Sequence, residues 1–599
     1  MLPTILDLAT LRDLYASGGL TPVSLMQEVA DRMAASNDPA IFITALDRAS
    51  LVRAAEDLLA RHPEPNALPL WGVPFAVKDN IDVAGLPTTA ACPAFAYEAQ
   101  ADAEVVARLK AAGALCIGKT NLDQFATGLN GTRSPYGAPR SVFSAEHVSG
   151  GSSSGSAVAV AAGLASFSLG TDTAGSGRVP AMFNNLVGIK PTPGLLSTTG
   201  LVPACRSLDC ISIFSASVGD GLAIRRIAEG FDAADPFSRE AVPHPLPETG
   251  LRFGVLTPGE REFYGDAERE ALYDAAIARL EGLGATAVPF DYAPFREIAT
   301  LLYNGPWVAE RLAAIAPFFA KHADALDPSV RTIVESANGY SAVDAFEGRY
   351  ALEALRRRTE ATWAKVDILL LPTSPTTYTV AQMQADPIRL NSHFGHYTNF
   401  ANLLGYAAIA VPGGFGADGL PGGVTLVGPG FSDEALGSWA DALHRSAASG
   451  MGVDRSAILP DANRNPVPEA PAIGLVVVGA HLSGLPLNHQ LTELGGRLMT
   501  RTRTSREYRL YALPGTHPAK PGLINEPGFV GPSLEVEVWA LPPAGFGHFV
   551  AAIPAPLGIG KITLEDGSHV SGFLCESHAV RGAEEVTGHG GWRAYLASR

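Results

Sequence analysis

The chain has 599 residues, 47% hydrophobic and 17% charged, enough apolar mass for two or more domains, since single cores stop growing near ~250–300 residues. Its formal charge of −16 argues against a nucleic-acid surface, so an anionic ligand must be drawn in by a local cation rather than by the overall field. The 63 Gly and 45 Pro show no collagen-like period and mark the turns of a mixed α/β protein.

At the N-terminus, "MLPTILDLATLRDLY" has acids among its apolar residues and no basic leader, so it reads as an amphipathic helix rather than a signal peptide. Thr21-Pro22 then supplies an N-cap and first-turn pair for a helix bearing Met26, Val29 and Met33. "GVPFAVKDNID" (72–82) and "ALCIGKTNLD" (114–123) end apolar runs in polar residues, as buried strands do when they deliver side chains to a cleft; Lys78 and Lys119 are the cations so delivered. The apolar run 157–169 is shorter than the ~20 residues of a membrane span and contains Ser166 and Ser168.

Further on, "LRFGVL" (251–256), a helical 267–283 segment and "ATAVPF" (285–290) predict a β-α-β unit, and "DILLLPT" (367–373) another buried strand of a large mixed sheet. Four prolines in 459–472 mark a composition break, which predicts a first domain over 1–460, a linker over 461–472 and a small, strand-rich α+β domain over 473–599. Cys92, Cys116, Cys205, Cys210 and Cys575 form no CxxC pair. A structural zinc is not expected, and the set suits a reducing, cytoplasmic compartment.

Two Ser/Gly-rich stretches carry the chemistry. "HVSGGSSSGSAVAVAAG" (147–163) lacks the Lys-Ser/Thr ending of a phosphate-binding loop. It matches G-x-S-x-G at 151–155, which would make Ser153 a nucleophile, but "FSAEHVSG" before it is a poor buried strand and a nucleophile elbow needs one. Together with "GVPFAVKDN" and "GTDTAGSGRVPA", it resembles the three signature blocks of the amidase signature family, in the family's order and spacing, over about residues 1–460. That resemblance implies an amidohydrolase with Ser176 as nucleophile, Ser152 as a bridging serine held by a cis peptide, Lys78 as terminal base, and neither metal nor cofactor.

Elementary chemistry supports the same three residues. A serine hydroxyl needs a neighbouring base; a buried lysine becomes one when desolvation favours its neutral amine, and Ser152 can both give and accept a proton between Lys78 and Ser176. The turn before Ser176 lets the amides of Thr173, Ala174, Gly175 and Ser176 converge on an oxyanion, each donor worth about 2.7–4 kcal/mol. Small residues crowd there because the backbone must approach substrate. Arg178 is read as bracing this turn, Asp172 as its hydrogen-bond acceptor, Ser153 and Ser154 as partners of backbone groups, and Lys119 as a cleft cation or an ordinary solvated lysine.

Ser154, Ala174 and Gly177 depart from the commoner amidase pattern, and with "LYNGPWVAERLAA" (301–313) they make the chain similar to the allophanate hydrolase branch of the family. That likeness implies a small anionic amide, allophanate, as substrate, and carboxylate recognition by Tyr303 and Arg311. Eight residues apart, these two would share one face if the segment is helical; the alternative is a surface Arg and a half-buried Tyr. "VVGAHLSGLPLNHQL" and the segments after it resemble the domain appended to this branch, with a γ-glutamylcyclotransferase-like fold. There, His489 is favoured over His481 as a proton donor for decarboxylation, because a helix starting after the turn would attract carboxylates; alternatively both histidines pack the strand and its loop. The resemblance also implies a homodimer and functional association with urea carboxylase, and neither nucleic-acid nor membrane partners are expected. Another amidase, such as the transamidating component that works on misacylated tRNA, and a catalytically silent binding module are the alternatives.

Overall fold

Eleven strands of the first part of the chain build one mixed sheet, and their order explains where its side chains converge. In chain order they are β1 Phe42–Ala45, β2 Pro74–Lys78, β3 Leu115–Thr120, β4 Phe167–Asp172, β5 Val187–Lys190, β6 Cys210–Ser215, β7 Arg252–Leu256, β8 Thr286–Phe290, β9 Ile368–Pro372, β10 Ala407–Phe415 and β11 Pro421–Gly428. The spatial order is β1-β3-β2-β4-β6-β5-β10-β11-β9-β7-β8. β2 lies parallel to both β3 and β4, so three carboxyl ends open on one edge, the place where open α/β sheets gather ligands. The predicted β-α-β unit is present: β7 and β8 pair in parallel, joined by the helix Ala267–Gly282. The structure, a computed structural model, describes residues 2–461 and 472–599.

The chain divides into two compact units, Met1–Pro468 and Glu469–Arg599. Of the expected linker, 461–472, residues 462–471 lie outside the described residues. The second unit carries β12 Ile473–Val477, β13 Arg497–Arg503, β14 Tyr508–Ala512, β15 Pro521–Asn525, β16 Glu535–Leu541, β17 Leu557–Thr563, β18 His569–Cys575 and β19 Glu584–Glu585. They form a five-stranded sheet, β13-β16-β12-β18-β17, and a three-stranded one, β15-β14-β19, around a core that includes Leu475, Val536, Trp539 and Phe573.

The N-terminal helices follow their caps. α1, Leu8–Ala16, is capped by Asp7 and starts later than the amphipathic pattern predicts, because Ile5 and Leu6 are buried as an irregular lead-in. α2, Pro22–Ala35, has a capping box in which the Thr21 side chain accepts from the Ser24 amide and the Ser24 side chain accepts from the Thr21 amide. Its Leu25, Met26 and Val29 pack in one cluster with α3, Ser154–Ala161. Among the described residues no helix is long and apolar enough to cross a membrane.

Every residue of α3 is buried, which explains its run of small side chains. A Cβ at Gly155 would stand 2.1 Å from the Ile41 carbonyl oxygen and 2.7 Å from the Asn121 amide nitrogen, both backbone atoms that cannot swing away. Although alanine is favoured over glycine in helices by about 1 kcal/mol, overpacking should win, and Gly155→Ala should destabilise by about 1–3 kcal/mol. Chemical denaturation checks this; an unchanged or raised midpoint would contradict the close approach.

Candidate active site

β2 ends at Lys78, and its neighbour β4 ends at Thr171 and Asp172. The Lys78 side chain is fully buried, with Nζ 2.7 Å from Ser152 Oγ and 2.6 Å from Thr171 Oγ1. Burial lowers the Lys78 amine to about 7, against the opposing pull of Asp123, Asp209 and Asp172. Ser152 follows a cis Gly151–Ser152 peptide, and its carbonyl accepts from the Asp123 amide at 3.0 Å. The structure therefore brings Lys78 and Ser152 together from positions 74 residues apart.

Ser176 lies in the turn after β4, 2% exposed, and its Oγ donates to the Gly128 carbonyl at 3.4 Å. Among the described residues no backbone carbonyl accepts from the amides of Thr173, Ala174, Gly175 or Ser176, so this turn presents unpaired donors beside the hydroxyl. The turn is held from below. Asp172 accepts from the Gly177 amide and from Arg178 Nε and Nη2, at 3.1, 2.9 and 3.0 Å, and both charged side chains are fully buried. The small residues also answer to the protein: a Cβ at Gly175 would meet Thr398 Oγ1 at 2.4 Å, so close packing behind the turn joins substrate approach as a reason for glycine.

Lys119 is not a solvated lysine. Its Nζ is fully buried, donates to the Pro87 carbonyl and Thr88 Oγ1, and faces Asp79 at 3.4 Å. It pairs with the acid that follows Lys78 and ties β3 to the segment after β2. Ser153 Oγ donates to the Thr171 carbonyl and accepts from the Thr171 amide, while Ser154 Oγ donates to the Asn121 carbonyl. The strand before this loop, Ser144–Val148, pairs with a two-residue neighbour in a half-exposed hairpin and makes an isolated bridge from His147 to Thr379, unlike the buried strand of a nucleophile elbow.

Two buried acids escape a reading of the sequence. Asp123 gathers the amides of Asn130, Gly131 and Arg133 and so shapes the loop that carries Gly128. Asp209 accepts from Thr173 Oγ1 and from the amides of Ala204 and Cys205, tying down the first residue of the Ser176 turn, and burial raises its carboxyl to about 6. Asp123 has a signal, since it stands at the end of a strand that faces a cleft. Asp209 lies in an unremarkable "SLDC", and only the pairing of β6 with β4 carries it to the turn.

Tyr303 and Arg311 meet, though not on one helix face. Gly305 and Pro306 break the segment into α4, Ala293–Asn304, and α5, Trp307–His322: the Gly305 backbone turns extended, and Pro306 has no amide with which to carry the helix on. Arg311 Nη2 donates to Tyr303 Oη at 3.1 Å and Nη1 to Thr127 Oγ1 at 3.1 Å. The guanidinium is buried, and its Nε has no hydrogen-bond partner.

In the second unit the premise for His489 fails in part. The helix it opens, His489–Thr492, has only four residues, too few for an appreciable macrodipole, and the His489 ring Nδ1 donates to the Pro486 carbonyl at 3.0 Å. His481 stacks on Phe573, and its Nε2 lies 3.0 Å from Gln490 Oε1. The turn between them does not form an anion pocket from Ser483, because the Ser483 amide and hydroxyl already donate to Glu537. Burial opposes that carboxylate's charge, yet Arg593, Ser483 and Arg501 hold it down at about 2.

Comparison with known proteins follows these two units. The family described as Amidase matches residues 24–436, and the allophanate hydrolase C-terminal domain matches 473–597. The urea amidolyase of Lachancea kluyveri is 44% identical over 96% of this chain, which spans only 32% of that relative's length. That of Saccharomyces cerevisiae is 43% identical over 97% of the chain and 32% of its own length. Among solved structures, Kluyveromyces lactis allophanate hydrolase is 39% identical, covers 100% of both chains and superposes with a TM-score of 0.74.

The Asp172–Arg178 pair gives a direct stability test. Arg178→Ala leaves a carboxylate buried without its countercharge and should cost about 3–5 kcal/mol. Urea denaturation reads the loss, and a change below about 1 kcal/mol would show that the pair does not brace the turn.

Proposed function

The chain belongs to the amidase family, and on that premise we propose that it is an allophanate hydrolase in which Ser176 attacks the terminal carboxamide of allophanate. It is an amidohydrolase whose own side chains supply the base. A neutral Lys78 amine accepts the proton of Ser152, Ser152 accepts that of Ser176 once the Ser176 hydroxyl turns away from the Gly128 carbonyl, and the Ser176 oxygen adds to the carbonyl carbon. The amides of Thr173, Ala174, Gly175 and Ser176 receive the oxyanion. The proton returns along the same path to the leaving nitrogen, which departs as ammonia. Water, deprotonated by the same relay, then hydrolyses the acyl-enzyme to N-carboxycarbamate.

Arg311 carries the choice of substrate. It is a buried cation bonded to Tyr303, with an unpartnered Nε that suits the carboxylate distinguishing allophanate from neutral amides. N-carboxycarbamate still holds one nitrogen, and its decarboxylation needs a proton. We assign that donation to His489, whose ring is exposed and whose Nε2 has no hydrogen-bond partner among the described residues, whereas His481 is stacked and bonded. The five buried, unpaired cysteines suit a reducing cytoplasm, with a homodimer as working form and urea carboxylase as source of the substrate.

Two outcomes test this reading. The wild-type chain should release two ammonia per allophanate and Ser176→Ala none, while Arg311→Ala should raise KM for allophanate about 10–100-fold more than for neutral biuret, the loss of a charge-assisted hydrogen bond worth about 1.5–3 kcal/mol. Equal effects on both substrates would return Arg311 to a structural role. In carbon-13 NMR, His489→Ala should let the dicarboxylate accumulate; clearance at the wild-type rate would remove His489 from the second step.

A further inference from the structure

A cavity of about 390 Å³ adjoins the site, lined by Leu129, Tyr303, Arg133 and Arg296 among others. Two of its lining residues stand next to the site. Leu129 follows Gly128, whose carbonyl accepts from Ser176, and Tyr303 holds Arg311. One wall is a single face of α4: Arg296, Ala299, Thr300, Tyr303 and Asn304 recur at three- and four-residue spacings. Arg296 thus stands two helical turns, about 10 Å, from Tyr303 along the helix.

The wall has one sign of charge. No Asp or Glu lines the cavity, whereas it holds two guanidinium groups. Arg133 is buried, with its Nε unpartnered although its Nη1 donates to the Thr127 carbonyl. Arg296 is exposed and has no ion pair among the described residues. The acids acting on the wall from outside are Asp123 and Asp327, which face Arg133, and Glu262, which faces His396 and accepts from the Tyr264 amide. His396, also in the lining, is kept neutral by burial and adds no charge near pH 7. In a chain of net charge −16, a cationic cleft of this kind is what concentrates an anion against the general field.

We propose that this cavity is the vestibule for small carboxylate-bearing amides, and that Arg296 is a specificity-determining residue that draws the carboxylate in before Tyr303 and Arg311 take it over. The proposal rests on the anionic-substrate reading above. It predicts that allophanate kcat/KM falls as ionic strength rises, because salt screens exposed charges beyond about 8–10 Å. In the full chain, Arg296→Glu should lower kcat/KM at low salt by about tenfold, with the loss in KM, and should flatten or reverse the salt slope. Arg296→Lys should restore both. A merely structural Arg296 would leave the salt slope as in wild type, and that result overturns the vestibule even where Arg311→Ala still discriminates against the acid. A wild-type chain that leaves allophanate intact while hydrolysing neutral amides overturns the substrate reading and the vestibule with it.

Discussion

The structure depends on keeping one amine out of water. Lys78 sits at the carboxyl end of a central parallel strand, where both neighbouring strands and the Ser152 loop close over it, and desolvation is the largest influence on its charge. Three buried carboxylates pull the other way, and the balance leaves the amine at about 7 rather than the ordinary 10.5. Between those values the unfolded chain holds a proton that the folded chain lacks, so raising the pH through this window favours folding; below about 7 the fold must bury an ammonium. The amine proposed as the base is thus set by the same packing that buries it.

Around that amine, each acid has a separate task. Asp172 is neutralised by Arg178 and fixes the far side of the Ser176 turn, Asp209 fixes its near side through Thr173, and Asp123 organises the loop that places Gly128 against Ser176. Asp79 faces Lys119, one strand over from the base. Two of these acids are thus matched by a cation, and the other two are held by amides and a hydroxyl, in a chain whose net charge is −16. In such a chain the anionic substrate proposed above would depend on the cations at Arg311 and along the cavity wall.

Much of this can be read from residue order. The strands carrying Lys78 and Lys119, the elements of the β-α-β unit, the helix capped by Thr21 and the Ser/Gly loop entering a buried helix all follow from local pattern, because each is specified by its own short segment. Lys119 stays ambiguous in sequence because nothing in "CIGKTN" reveals an acid 40 positions earlier on the adjacent segment. Asp209 is invisible for the same reason: its role exists only once β6 pairs beside β4. Eight-residue spacing puts Tyr303 and Arg311 on one face only if 301–313 is a single helix; they meet instead across the break at Gly305-Pro306, which depends on how the two helices cross. In the second unit, the strand pattern is local and readable, but the claim of Glu537 on the Ser483 turn is a contact across 54 residues.

The proposed chemistry stands or falls on the protonation of Lys78. Nuclear magnetic resonance titration of lysine labelled with carbon-13 at Cε, with Lys78→Met to assign the signal, measures it without reference to turnover. One lysine signal should titrate near pH 7 and be absent from the Lys78→Met spectrum, while exposed lysines titrate near 10.4. A Lys78 signal that stayed protonated to pH 10 would contradict the relay, because an ammonium has no lone pair with which to accept the proton of Ser152.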